Sequence, residues 1–110
     1  MPCTHFHLQP SVTKVGGISE MRKIITLAET QGATVMPHSP YFGPGLLATL
    51  HILSTLPDEC LAEYFFYKAL PASLYGDAIV ARDGQLTVPD GPGLGVEPDL
   101  DVIREYAVKD

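Results

Sequence analysis

Apolar positions along the first two thirds of the chain alternate between two periods. From Phe6 to Val15 the chain reads as extended, with Ser11-Val12-Thr13-Lys14-Val15 alternating as a strand running into a loop does, and Gly16-Gly17 ends it. Ser19 and Glu20 supply a helix start with an acidic first turn. Met21, Ile24, Ile25 and Ala28 then recur at helical spacing until Gly32 supplies a stop, which predicts an amphipathic helix of about four turns. Ala33-Thr34-Val35-Met36 is a short β-prone run closed by Pro37, and His38 to Gly45 forms a Gly/Pro-rich loop. Leu46, Leu50 and Leu53 share one helical face while Leu47, Ile52 and Leu56 spread apolar surface around the cylinder, so a second helix buried on several sides is expected. Pro57-Asp58-Glu59 breaks it, and Cys60 to Tyr67 is the third strand candidate. The order strand, helix, strand, helix, strand predicts an α/β unit with parallel pairing and crossover helices.

Beyond that point the chain changes character. Ile79 to Arg82 and Gln85 to Val88 flank Asp83-Gly84, which predicts a β-hairpin. Pro89 to Val96 is too rich in Gly and Pro for regular structure, and a last short helix is expected from about Pro98 to Tyr106.

Composition narrows the function classes. The chain has 110 residues and a formal net charge of −6, which supplies no electrostatic footprint for nucleic acid or an anionic membrane surface. No apolar run approaches the ~20 residues of a bilayer span, and the N-terminus shows neither a basic nor a long apolar signal region, so a soluble cytoplasmic protein is expected. Two cysteines, Cys3 and Cys60, are too few for a disulfide scaffold or a cysteine-based zinc site.

Four stretches in order carry a family resemblance: Val12-Thr13-Lys14-Val15-Gly16-Gly17-Ile18 before a helix, Met36-Pro37-His38-Ser39 at a strand end, Leu61-Ala62-Glu63-Tyr64, and Val88-Pro89-Asp90-Gly91-Pro92-Gly93-Leu94-Gly95. Together, from about Gln9 to Val108, they resemble the C-terminal end of the enolase superfamily, in its mandelate racemase and muconate-lactonizing enzyme branch. The resemblance implies the C-terminal part of a (β/α)7β modified TIM barrel, β-α-β-α-β, followed by a hairpin and a short helix. Residues 1–77 would be the partial barrel, holding its sixth to eighth strands, and residues 78–110 the segment returning to a capping domain. It also implies a class of chemistry: removal of the proton α to a carboxylate, with the enediolate stabilised on Mg²⁺, as in racemases and dehydratases of 2-hydroxy acids and acid sugars.

His38 sits at a strand's C-terminal end, where barrel enzymes place their chemistry, and an imidazole suits general acid/base work. On local features alone the plainer reading is a loop histidine that caps the strand. The resemblance matches it to the histidine base of the mandelate racemase subgroup. Where that base has an aspartate partner, or muconate-lactonizing relatives a lysine, this chain has Ser11. A hydroxyl hydrogen-bonds but supplies no full charge, so a weaker base is expected. Glu63 matches the acid that hydrogen-bonds the substrate carboxylate, a role that requires it to hold its proton; a solvated strand-end carboxylate is the plain alternative. Lys14, Gly16 and Gly17 read as backbone geometry at a strand-to-helix turn. His5-x-His7 would place two imidazoles on one strand face, a spacing some zinc hydrolases use, but with no carboxylate or cysteine nearby except Cys3 they read as two solvent-facing histidines. His51 reads as a satisfied core or interface histidine.

The family holds its metal through three carboxylates on the third to fifth strands and carries a Lys-x-Lys base on the second. Ser11, His38 and Glu63 do not make such a shell, and Mg²⁺ is not expected to bind this chain alone. A complete barrel needs about 250 residues. The chain is therefore expected to be marginal as a monomer, to depend on another copy or a complementing N-terminal fragment, and to act on a small carboxylate substrate only when completed. The alternative is a stand-alone non-catalytic module that associates through the half-barrel surface and its Tyr41-Phe42 loop.

Overall fold

The computed structural model describes residues 6–57, 60–65 and 73–108. Its centre is a parallel pair of short strands, β1 (His7–Leu8) and β2 (Thr34–Val35), with His7 opposite Thr34 and Leu8 opposite Val35. Parallel hydrogen bonding runs past the strand ends: Thr34 N–H donates to Phe6 O, Met36 N–H to Leu8 O and His38 N–H to Pro10 O, at 2.9, 2.9 and 3.0 Å. The parallel connection expected from the element order is thus present, and it carries β2 forward to set His38 beside Pro10.

Between the strands lie α1 (Val12–Val15) and α2 (Ile18–Thr30). α1 corrects the sequence expectation of an extended segment as far as Val15. Val12 and Val15 satisfy both a two-residue alternation and an i, i+3 spacing; both pack into the core beside α2, and a single helical turn is what forms. Gly16 closes that turn at φ 107°, a left-handed conformation open to glycine, and donates to Val12 O. α2 then starts at Ile18 from a Gly17 N-cap rather than from Ser19. It buries Met21, Ile25 and Ala28 as its periodicity predicts. It ends in a Schellman motif, with Gly32 at φ 65°, Gly32 N–H donating to Glu29 O and Ala33 N–H to Ala28 O.

α3 (Pro44–Leu53) starts with proline at its first turn and buries Leu46, Leu47, Ala48, Thr49, Leu50 and Ile52. It is buried on more than one side because it packs into two clusters. Ala48 and Ile52 join Val12, Met21, Ile25, Ala28 and Val35, whereas Leu46, Leu47 and Leu50 join Ile79. Leu94 lies against both. The one polar side chain this helix buries, Thr49, donates to Gly45 O at 2.8 Å.

Two further expectations are corrected. The third strand is not formed among the described residues 60–65, which run as irregular backbone; Phe66 and Tyr67 lie outside the described residues, as does His5. The hairpin is reduced to one antiparallel bridge, Arg82 with Gln85, around a turn in which Asp83 (φ 51°) and Gly84 (φ 75°) both take the left-handed conformation. The backbone just before the bridge makes its hydrogen bonds elsewhere. A 3₁₀ turn over Gly76–Ile79 takes the Val80 N–H to Asp77 O, Tyr64 Oη donates to Ile79 O at 3.1 Å, and Ala81 N–H donates to Tyr64 Oη at 3.4 Å. The last element among the described residues is α4 (Leu100–Tyr106), whose N-cap Asp99 accepts from the backbone N–H of Asp101 and Val102.

The accessible surface is 8048 Å², against about 5,900 Å² for a compact monomer of this mass, and the radius of gyration is 15.7 Å, against about 13 Å. Large apolar side chains account for part of the excess, Phe6 and Leu61 being 62% and 68% exposed. No helix among the described residues is long and apolar enough to cross a membrane.

Candidate functional site

The backbone bond from His38 to Pro10 brings the loop after β2 against the residue that follows the extended segment. That residue, Ser11, is the N-cap of α1. Its hydroxyl makes no capping hydrogen bond, the usual use of serine at such a position. Ser11 Oγ instead lies 3.0 Å from Thr13 Oγ1 and hydrogen-bonds Tyr41 Oη. Thr13 Oγ1 donates to Tyr41 Oη at 2.9 Å. Tyr41 Oη lies 3.5 Å from His38 Nδ1, with the two rings 6.0 Å apart and nearly perpendicular. Tyr41 Oη thus links the Ser11 hydroxyl to the His38 imidazole. Ser11 is buried and His38 half-buried, so the imidazole is reachable from outside while its anchor is not.

Glu63 reaches the same loop from the other side. Ser39, fully buried, donates from its backbone N–H to Glu63 Oε2 at 3.2 Å and from Oγ to the Glu63 carbonyl oxygen at 2.8 Å. Ala62 and Tyr64, its neighbours in sequence, line a separate groove of about 670 Å³ between α3 and residues 84–88, whose lining includes none of Ser11, His38 and Glu63. The three residues singled out from sequence are thus gathered at one end of the parallel pair, through Tyr41 on one side and Ser39 on the other. Thr13 and Tyr41 were not singled out as site residues, since nothing in their spacing points to a shared cluster.

Gly45, in the first turn of α3, belongs to this end as well. A Cβ there would come within 2.6 Å of the Thr13 methyl and 3.2 Å of the Tyr41 ring, so the bare backbone of α3 is what lets the two side chains approach.

The donor set is two aliphatic hydroxyls, a phenol, an imidazole and one carboxylate. Among the described residues no group of three or more His, Cys, Asp or Glu is placed to hold a metal ion. A hard oxygen-seeking cation requires several carboxylate or carbonyl ligands, so these residues do not fit the Mg²⁺ that the family resemblance implies. Of the His5-x-His7 pair, His7 lies exposed on β1 and His5 is outside the described residues. His51 contributes to packing: its Nε2 lies 3.1 Å from Leu94 O.

A parallel strand pair with intervening helices defines an α/β unit, and the polar groups described above gather beyond its strand ends. The chain belongs to the family described as Enolase C-terminal domain-like, whose model matches residues 6–102. It is 31% identical over 112 residues to a D-galactarolactone cycloisomerase of Agrobacterium fabrum (strain C58), covering 94% of this chain and 30% of that protein. It is 33% identical over 102 residues to an arabinonate dehydratase of Saccharolobus solfataricus, covering 93% and 27%. It is 30% identical over 96 residues to muconate cycloisomerase 1 of Rhodococcus opacus, covering 86% and 26%. The chain thus spans less than a third of the length of these relatives, which are sugar-acid dehydratases and cycloisomerases by name.

Proposed function

We propose that this chain supplies the proton-transfer side of an enolase-type active site acting on a sugar-acid or 2-hydroxy-acid carboxylate. In this reading residues 6–10, 33–37 and 60–64 take the places of the sixth, seventh and eighth strands of a (β/α)7β barrel, and residues 78–110 lead back toward a capping domain. His38 is the general base that removes the α-proton, Ser11 belongs to its support, and Glu63 hydrogen-bonds the substrate carboxylate as charge develops on it. The observation that carries this is the pair of hydrogen bonds fastening Glu63 to Ser39, the residue next to His38, which brings Glu63 and His38 to one strand end.

In this reading the carboxylates for Mg²⁺ and the second base lie outside the 110 residues of this chain, which is inactive by itself. Its large accessible surface and exposed Phe6 and Leu61 support completion by an N-terminal polypeptide or a second copy. The test is α-proton exchange on 2-hydroxy acids in D₂O with Mg²⁺, followed by proton NMR. The isolated chain should give none. The chain combined with a polypeptide carrying Lys-x-Lys and three carboxylates should give exchange that His38→Asn lowers about 10²–10⁴-fold. Exchange by the isolated chain that His38→Asn abolishes would refute the inactivity.

A second reading, a non-catalytic association module, is favoured by one observation: Phe42 and Phe65 form an edge-to-face pair at 5.6 Å with both rings exposed. Stable association with no exchange in any combination would select it.

A further inference from the structure

The hydroxyls around Tyr41 leave one arrangement of protons that also accounts for His38. Thr13 Oγ1 donates to Tyr41 Oη. Three contacts join these three hydroxyls and each oxygen brings one proton, so every contact carries a hydrogen only when Tyr41 donates to Ser11. Ser11 then donates to Thr13 Oγ1. Each member of the ring gives one proton and receives one. Tyr41 Oη still has a lone pair, and among the described residues the remaining polar neighbour is His38 Nδ1 at 3.5 Å. An oxygen whose own proton is committed elsewhere can only accept, so the hydrogen between them sits on the imidazole.

We infer that Tyr41 is the positioning residue for His38: the Ser11–Thr13–Tyr41 ring holds the imidazole as its Nδ1–H tautomer and leaves the Nε2 lone pair free to take a proton. This rests on the reading of His38 as the base, which needs an unprotonated nitrogen facing the substrate. A neutral phenol oxygen selects tautomer and ring orientation as a carboxylate would, without the full charge that stabilises an imidazolium. Ser11 therefore does not replace a carboxylate directly. It takes up the proton that would otherwise let Tyr41 donate to Nδ1 and reverse the tautomer.

The experiment is ¹⁵N–¹H NMR of the 110-residue chain with labelled histidine, reading the ring nitrogens of neutral His38. Parent protein should show His38 as Nδ1–H, while His51, whose Nε2 faces a carbonyl oxygen, shows the opposite tautomer in the same spectrum. Tyr41→Phe keeps the ring and its edge-to-face contact but should move His38 toward the Nε2–H form that free imidazole favours. Ser11→Ala should do the same by releasing the phenol proton, and Ser11→Thr should restore the parent state. An Nε2–H form or a free-imidazole mixture in the parent, or Nδ1–H retained in Tyr41→Phe, overturns the inference. In the completed assembly Tyr41→Phe should lower kcat with KM unchanged. Absence of proton exchange in that assembly counts against His38 as base, whereas the tautomer measurement decides the role of Tyr41 by itself.

Discussion

Nε2 of His51 donates to the carbonyl oxygen of Leu94 over 3.1 Å, fastening the middle of α3 to the glycine- and proline-rich loop. A carbonyl oxygen carries no proton, so the imidazole must hold its hydrogen at Nε2. The Leu94 side chain touches both core clusters, and the bond therefore pins the loop at the seam between them. His51→Leu keeps most of the volume but leaves the carbonyl without its donor. It should cost about 1–3 kcal/mol, read as a lower denaturant midpoint, with faster amide exchange across residues 91–96. Unchanged exchange there would show that the loop is held by its apolar contacts alone.

Gly95 and Gly93 offer a comparison within one loop. Both have positive φ, 87° and 65°, so alanine at either incurs the left-handed penalty of about 1–2 kcal/mol. At Gly93 a Cβ meets nothing within 4 Å, whereas at Gly95 it would lie 2.5 Å from the Pro89 carbonyl oxygen. Gly95→Ala should therefore destabilise clearly more than Gly93→Ala in thermal melts. Equal losses would mean that the loop opens to make room.

Ser39→Ala removes the donor to the Glu63 carbonyl at a fully buried position but leaves the backbone N–H to Oε2 in place. The expected loss is about 1–3 kcal/mol, with residues 61–65 losing exchange protection. Glu63→Gln retains a side-chain oxygen for the same N–H and should stay within about 0.5 kcal/mol of the parent. In the completed assembly it should still depress proton exchange, which separates the carboxyl's chemistry from its packing.

Leu47, wholly buried in α3, and Leu27, 66% exposed on α2, share a side chain but not an environment. Leu47→Ala should cost about 2–5 kcal/mol, a large part of the stability of a chain this size, while Leu27→Ala should stay within about 0.5 kcal/mol. Circular dichroism melts of the two variants check this. A large loss in Leu27→Ala would reveal that its face is covered in solution.

How far the sequence reveals the fold depends on how local each decision is. α2 is legible because four apolar residues repeat one period over two turns, and α3 because leucines surround it. α1 is not, since Val12 and Val15 fit two periods and Gly16 decides between them by taking a conformation that ends a helical turn. Residues 60–65 have strand composition, yet whether they pair depends on partners distant in the chain. The site divides in the same way. His38, Ser11 and Glu63 can be named from motifs at strand ends. Thr13 and Tyr41 cannot, because their hydroxyls meet across 28 residues through the docking of α3.

The missing side chain at Gly45 makes α3 a depth gauge for the hydroxyl ring. Because nothing but hydrogen separates its backbone from the Thr13 methyl and the Tyr41 ring, how deeply this helix seats sets the spacing of those two residues and, through them, the pitch of the imidazole. A change of side-chain packing around Leu46 and Leu47 can thus be transmitted to His38 without altering any group that touches it, and a single methyl at Gly45 would jam the gauge from within.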